Sequence, residues 1–227
     1  MQLLQEIENG YWKPGSCLPS EKALAEEHRV SIGTVRNAIL NLVNGGYLYR
    51  VQGSGTFVAG THLRRDSLHY YRMLETFDSI EAQIQIKFLN IKEIKGIDTV
   101  NPYLKIRKNQ SIFQLERLLL SDKKEAIYTV SYFPKIMFPG LDQILPQRFE
   151  RVPIFSLLET GYGKPTIFNK ELMAGVGANK TAAKNLQVQE GFPVLLIEML
   201  AYTYKEQPYE YRLSYCLSGK KKIFRQW

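Results

Sequence analysis

The chain has 227 residues, 44% of them hydrophobic and 23% charged, with a formal net charge of +8. That is enough apolar material for two domains with buried cores, and the balance excludes a disordered tail or a fibrous repeat. No run reaches the roughly 18 apolar residues that cross a bilayer, no basic-then-apolar leader opens the chain, and Cys17 and Cys216 lack metal-like spacing; a cytoplasmic protein without metal or cofactor is expected.

Residues 1–60 are electrically balanced: Lys13, Lys22, Arg29, Arg36 and Arg50 face five glutamates, and the positive excess lies beyond them. All five acids fall within residues 1–27, so residues 28–60 are acid-free and carry Arg29, Arg36 and Arg50. A surface that lies on phosphates needs such a stretch, because a carboxylate there would be repelled.

In chain order, Leu3, Leu4 and Ile7 start an amphipathic helix that ends at Asn9-Gly10, and Lys13-Pro14-Gly15 turns the chain. Ser20 is the capping residue of a short helix through Glu27, with Glu21 at the positive end of its dipole and Ala23 and Leu24 turned inward. After His28-Arg29-Val30, Ser31 caps a second helix whose stripe of Val35, Ala38, Ile39, Leu42 and Val43 specifies one buried face. Gly45-Gly46 ends it. Its first turns expose Ser31, Gly33, Thr34, Arg36 and Asn37, placed where a recognition helix reaches base edges. Tyr47–Val51 and Thr56–Val58 then form a hairpin around Gln52-Gly53-Ser54-Gly55, whose glycines let backbone approach phosphate closely. Taken singly, Arg36 and Asn37 read as a solvated helix face and the glycines as a plain turn. Their order and spacing specify a winged helix-turn-helix.

The run Pro14-Gly15, Leu18-Pro19-Ser20-Glu21, Leu24-Ala25, Val30-Ser31, Thr34-Val35-Arg36-Asn37-Ala38, Leu42, Gly46 and Gln52-Gly53-Ser54-Gly55-Thr56-Phe57-Val58 resembles the GntR family signature. The resemblance implies a transcription regulator, expected to be a repressor. Ser20, Ser31, Ile32, Gly33, Thr34, Arg36, Asn37, Gln52, Gly53, Ser54, Gly55 and Thr56 would face double-stranded operator DNA. The family pattern places arginine directly after Val-Ser, where this chain has Ile32. That departure shifts weight to Arg36, Asn37 and the wing.

Residues 61–76, with Arg64, Arg65 and Arg72, read as a linker, and from Phe77 the texture becomes β-rich. Alternation at Ile84–Phe88, Thr166–Asn169 and Tyr209–Tyr211 marks strands, and Ser121–Lys124 and Lys205–Pro208 mark hairpin turns. Short helices fit Asp98–Leu104, Ile154–Thr160 and Lys180–Leu186. An internal repeat runs through this region: Leu104, Ile106, Ile112, Leu115 and Glu116 recur 82 positions later as Leu186, Val188, Val194, Ile197 and Glu198. With one residue added, Ser131-Tyr132 recurs as Ser214-Tyr215. Two similar halves would make one antiparallel sheet with a cleft between them.

Leu115-Glu116-Arg117, Tyr128–Pro134, Leu157–Tyr162, Gly191, Pro193-Val194-Leu195 and Pro208–Tyr211 resemble the UTRA effector domain of HutC-like GntR regulators, a fold shared with chorismate lyase. The expected fold is therefore α+β: a winged helix-turn-helix over residues 1–60, a linker over 61–76 and an antiparallel-sheet UTRA domain over 77–227 that binds effector and dimerises. The resemblance implies a pocket at Thr76, Phe77, Asp78, Ser79, Arg117, Thr129, Ser131, Tyr132, Glu210 and Tyr215 for a small effector, many family effectors being anionic. Here Leu119 replaces a second arginine, Thr129 stands where an acid is frequent, and Ser218–Lys222 replaces the usual closing stretch. A buried arginine needs an anionic partner, which for Arg117 is either a ligand or one of Glu116, Glu198 and Glu210.

Two rival readings meet the same residues. An enzyme on the lyase-like fold would need convergent acid, base or nucleophile, yet no histidine follows His69, after His28 and His62, and nothing pairs the glutamates with a nucleophile. Ala174–Thr181 has the wrong glycine spacing for a phosphate loop and reads as a strand-to-helix turn. The second rival is an architectural DNA binder without a ligand. The expected partners are an inverted-repeat operator, a small effector and a second copy of the chain, with no membrane.

Overall fold

A computed structural model describes residues 2–60, 72–74, 76, 78, 84–121, 126–217 and 222–224. Its elements are α1 (Gln2–Glu8), α2 (Glu21–Glu27), α3 (Ile32–Asn44), β1 (Leu48–Val51), β2 (Gly55–Val58), β3 (Arg72–Leu74) and β4 (Ile84–Lys95), followed by α4 (Asn101–Leu104), β5 (Ser111–Ser121) and β6 (Ala126–Pro134). Then come α5 (Pro146–Arg151), α6 (Ile154–Tyr162), β7 (Phe168–Gly177), α7 (Lys180–Leu186), β8 (Pro193–Thr203), β9 (Gln207–Leu217) and β10 (Lys222–Phe224). Among the described residues no helix is long and apolar enough to cross a membrane.

The chain divides into two compact units, the first joining the described N-terminal residues to 155–167 and 203–207. In this unit Leu3, Ile7, Leu24, Val35, Ile39 and Leu42 bury the inner faces of the three helices. On α2 the buried pair is Leu24 and Ala25; Ala23, expected inside, is exposed because Leu24 already sets the inward direction and residue 23 falls one step outside it. Ser20 caps α2 by accepting from the Ala23 amide at 3.1 Å, and Ser31 caps α3 by accepting from the Thr34 amide at 3.0 Å. The β1–β2 hairpin gains a third edge where the Gly15 and Leu18 amides donate to the carbonyls of Val58 and Thr56, both at 2.8 Å.

Residues 203–207 close this unit. Tyr204 stacks on Tyr47 with ring centroids 4.5 Å apart, and its hydroxyl donates to the Ala59 carbonyl at 3.0 Å. Lys205 pairs with Glu8 at 2.8 Å. Burial alone would raise the Glu8 carboxyl, but hydrogen bonds from Lys205 and Tyr47 outweigh it and hold the group below its ordinary value. After α3 the chain turns through Gly46 at φ +75°, where an added Cβ would sit 2.8 Å from Cγ2 of Ile167. Gly46→Ala is therefore expected to destabilise the protein by about 1–3 kcal/mol, read as a lower denaturation midpoint.

The second unit is built on a six-stranded antiparallel sheet of order β4-β5-β6-β9-β8-β7. That order is a palindrome. Shifted by 82 positions, β5 (Ser111–Ser121) superposes in sequence on β8 (Pro193–Thr203), and the last residue of α4, Leu104, on the last of α7, Leu186. Even the helix ends agree: Lys105 and Gln187 are both left-handed C-caps, at φ 53° and 57°. The repeat read from apolar spacing is thus a repeat of structure, with its dyad between β6 and β9. Residues 174–181 form the expected strand-to-helix turn, with Asn179 capping α7 through the Ala182 amide at 2.9 Å. Residues 122–125 and 218–221, expected as a turn and as the closing stretch, lie outside the described residues.

Candidate functional site

Within the first unit the acid-free stretch is exposed at both places marked by the sequence. Ser31, Ile32, Gly33, Thr34, Arg36 and Asn37 are all exposed on the first turns of α3, and Gln52, Gly53, Ser54 and Gly55 are exposed at the hairpin tip, with Thr56 half-buried. Gly53 and Gly55 adopt φ +77° and +128°, values that a residue with a Cβ takes only with strain. Ser20 and Ser31 hold the helix starts through their side-chain oxygens, and Ser31 also shares a 2.8 Å hydrogen bond with the Thr34 hydroxyl. Their hydroxyls are thereby committed locally. Arg36 is held as well: its Nε donates to Glu21 at 2.9 Å, while Arg50 donates from Nη2 to the other Glu21 oxygen at 2.9 Å.

In the second unit the strand register sorts the expected effector residues onto two faces. Arg117 pairs with Thr129 across β5 and β6, Thr129 with Ser214 and Ser131 with Arg212 across β6 and β9. Side chains alternate along each strand, so Arg117, Thr129, Ser131, Glu210, Arg212 and Ser214 share one face. All six are buried polar groups. Arg212 donates from Nε and Nη2 to Glu210 at 2.7 and 2.6 Å and from Nε to the Ser131 hydroxyl at 3.2 Å.

Arg117 is different: wholly buried, it has Nε, Nη1 and Nη2 all without a hydrogen-bond partner among the described residues. Its cross-strand neighbour Phe88 stacks against Phe149 of α5 at 5.5 Å. Toward one end of the strands the same face turns apolar, with Leu119, Ile127, Ile197 and Cys216 in one cluster. None of the three carboxylates named as partners for Arg117 neutralises it. Glu210 serves Arg212, Glu116 accepts from the Tyr128 hydroxyl, and Glu198 accepts from the Tyr211 hydroxyl at 2.6 Å.

Tyr132 and Tyr215 lie on the other face. Each stands one position from a residue of the Arg117 face or its partner row, so the strand alternation turns both to the opposite face. There Tyr215 accepts from Asn179 at 2.9 Å, and Tyr132 stacks with Tyr211. That face carries the repeat's two matched Glu–Tyr pairs; burial, then the Glu116 and Glu198 carboxylates, push the Tyr128 and Tyr211 hydroxyls well above their ordinary values. Both tyrosines stay neutral donors. Thr76 and Asp78 are exposed, whereas Phe77 and Ser79 lie outside the described residues. Arg212 and Ser214 were not expected on the buried polar face; the period-two run Glu210-Arg212-Ser214 was the available signal. Glu21 was missed as a partner of Arg36, since a contact 15 residues away leaves no local pattern.

A winged helix-turn-helix and a separate α+β sheet with a buried cationic floor define a DNA-binding regulator with an attached sensor. The sequence matches the "Bacterial regulatory proteins, gntR family" profile over residues 1–58 and the UTRA domain profile over residues 81–220. Among curated relatives, the HTH-type transcriptional regulator YurK of Bacillus subtilis is 29% identical over 206 residues, covering 91% of this chain and 84% of YurK. The HTH-type transcriptional repressor NagR of Bacillus subtilis is 28% identical over 213 residues, covering 94% of this chain and 86% of NagR. Of solved structures, the ligand-binding domain of a GntR-family regulator from Bordetella bronchiseptica shares the fold with a TM-score of 0.63 at 18% identity, covering 70% of this chain and 98% of that one. This chain belongs to the GntR family of bacterial transcription regulators and carries the UTRA effector domain of its HutC-like branch. It binds operator DNA under the control of a small molecule.

Proposed function

We propose that the chain is a cytoplasmic, homodimeric repressor that engages an inverted-repeat operator and responds to an anionic effector held at Arg117, without catalysing a reaction. The observation that carries the effector reading is the wholly buried Arg117 guanidinium, left without a partner while each nearby carboxylate serves another group. Arginine stays charged in proteins and its planar fork fits carboxylate and phosphate oxygens, so an anionic ligand is the natural complement. Thr129, Ser131 and Arg212 would supply polar contacts around it, with Glu210 holding Arg212 in place. The apolar cluster at Leu119 favours an effector with one anionic group and a less polar remainder.

In this reading residues 1–60 form the DNA-binding head, 61–76 the linker and 77–227 the effector and dimerisation domain. Ser20, Ser31, Ile32, Gly33, Thr34, Arg36 and Asn37 would meet the major groove and its flanking phosphates, with Gln52, Gly53, Ser54, Gly55 and Thr56 as the wing. Repression is favoured by the relative NagR, a transcriptional repressor. Two half-sites one helical turn apart would give a dimer the affinity that one head lacks. The test is a thermal-shift panel of small carboxylates and phosphates against their neutral parents, with hits added to the chain bound to a duplex selected from a random pool. An anion should raise the melting temperature and release the DNA; stabilisation by neutral parents as strong as by anions would refute the reading.

A further inference from the structure

Glu21 stands at the first position of α2, and its carboxylate accepts from two arginines at once. Arg36 of α3 donates Nε–H to Oε2 and Arg50 of β1 donates from Nη2 to Oε1, each at 2.9 Å. Three elements thus meet at a single carboxylate. The glutamate side chain is 26% exposed and the two arginine side chains 63% and 47%. Ion pairs this exposed contribute little to stability, so the arrangement is not explained by folding.

Its consequence is direction. An arginine fork has an Nε edge and an outer edge formed by its two Nη groups. With Nε committed to Glu21, the outer edge of Arg36 is left as a parallel donor pair, which is the shape that meets O6 and N7 of guanine in the major groove. A free arginine would have to give up its rotamer freedom on binding, whereas one already held by a carboxylate gives up less. Among the exposed residues of the first two turns of α3, Arg36 carries the one formal charge. An acid beside duplex phosphates weakens non-specific attraction. Glu21 is an acid from outside the acid-free stretch whose carboxylate reaches Arg36 within it.

We propose that Glu21 is a specificity-determining positioning residue: it holds Arg36 edge-outward so that each head of the dimer reads a guanine. The inference rests on Arg36 facing DNA, as proposed above. The full-length chain, Arg36→Ala, Glu21→Ala and Glu21→Gln would each select duplexes from a pool with a randomised core. Affinities would then be measured for the parent-selected duplex, for the same duplex with the preferred guanine replaced by 7-deazaguanine, and for an unrelated duplex.

The parent chain should enrich a guanine at a fixed place in each half-site, and removing its N7 should weaken binding about tenfold. Arg36→Ala should be indifferent to that replacement. Glu21→Ala should lose most of the discrimination while binding the unrelated duplex as well as the parent does, or better. Glu21→Gln, which keeps the size and a hydrogen bond, should fall between the two and decides the matter if Glu21→Ala fails to fold. Glu21 variants that keep full discrimination, or that weaken on both duplexes equally, would overturn the proposal while leaving Arg36 as a DNA contact. An Arg36→Ala chain that still prefers the same guanine would remove both.

Discussion

Arg117→Met is expected to make the unliganded protein more stable and deaf to its effector. Nothing in the described structure offsets the burial of this guanidinium: its three nitrogens make no hydrogen bond and its surface is wholly covered. An unpaired buried charge costs several kcal/mol, and arginine cannot escape by losing its proton. Methionine fills similar length with an apolar, adaptable chain and carries no such cost. Replacements of buried ionic groups by apolar ones stabilise by about 1–4 kcal/mol, which for a chain of this size is a rise of roughly 2–4 °C per kcal/mol. In the parent chain the proposed anion would supply the missing partner, so ligand should raise the melting temperature of the parent and not of the variant. Calorimetry with and without a stabilising anion separates the outcomes. A variant that melts lower than its parent, or that keeps the ligand shift, would mean that Arg117 is satisfied from within the protein.

The same residue shows how far the sequence could be read. Ser20 and Ser31 were legible as caps because a serine before a periodic apolar run has few other uses, and both accept the expected amide. The 82-residue repeat was legible because its apolar positions are spaced by local geometry, and the sheet order then follows from pairing two similar halves. What escaped was parity and distance. Ser131 and Tyr132 are adjacent and resemble one motif, yet a strand must send them to opposite faces. Which face holds the buried arginines is decided by pairing between strands, so the expected effector residues fall on both faces. The Glu21 clasp joins residues 15 and 29 positions apart, and the grouping of 155–167 and 203–207 with the N-terminal residues spans more than a hundred. Neither leaves a periodic trace.

Beside Arg117, the Glu210–Arg212 pair makes the opposite kind of prediction. Both side chains are buried, at 2% and 9% exposure, with Arg212 donating two hydrogen bonds to one Glu210 oxygen and a third to Ser131. Taking away one member of such a pair is far costlier than taking away both, because the survivor is a buried charge without its counter-charge. Glu210→Met is expected to destabilise by about 3–5 kcal/mol, and Arg212→Met by a similar amount. The double variant should recover most of that loss, since two methionines on the same face, cross-strand from Ser131 and beside it, bury apolar surface without an ionic debt. Chemical denaturation of the four proteins gives the coupling energy directly. Strict additivity, with the double variant as unstable as the two losses summed, would show that the pair is not a closed unit and that each charge is anchored by a different neighbour. Strong coupling would instead mean that Glu210 is fully spent on Arg212, which leaves Arg117 as the cation on this face still waiting for an anion.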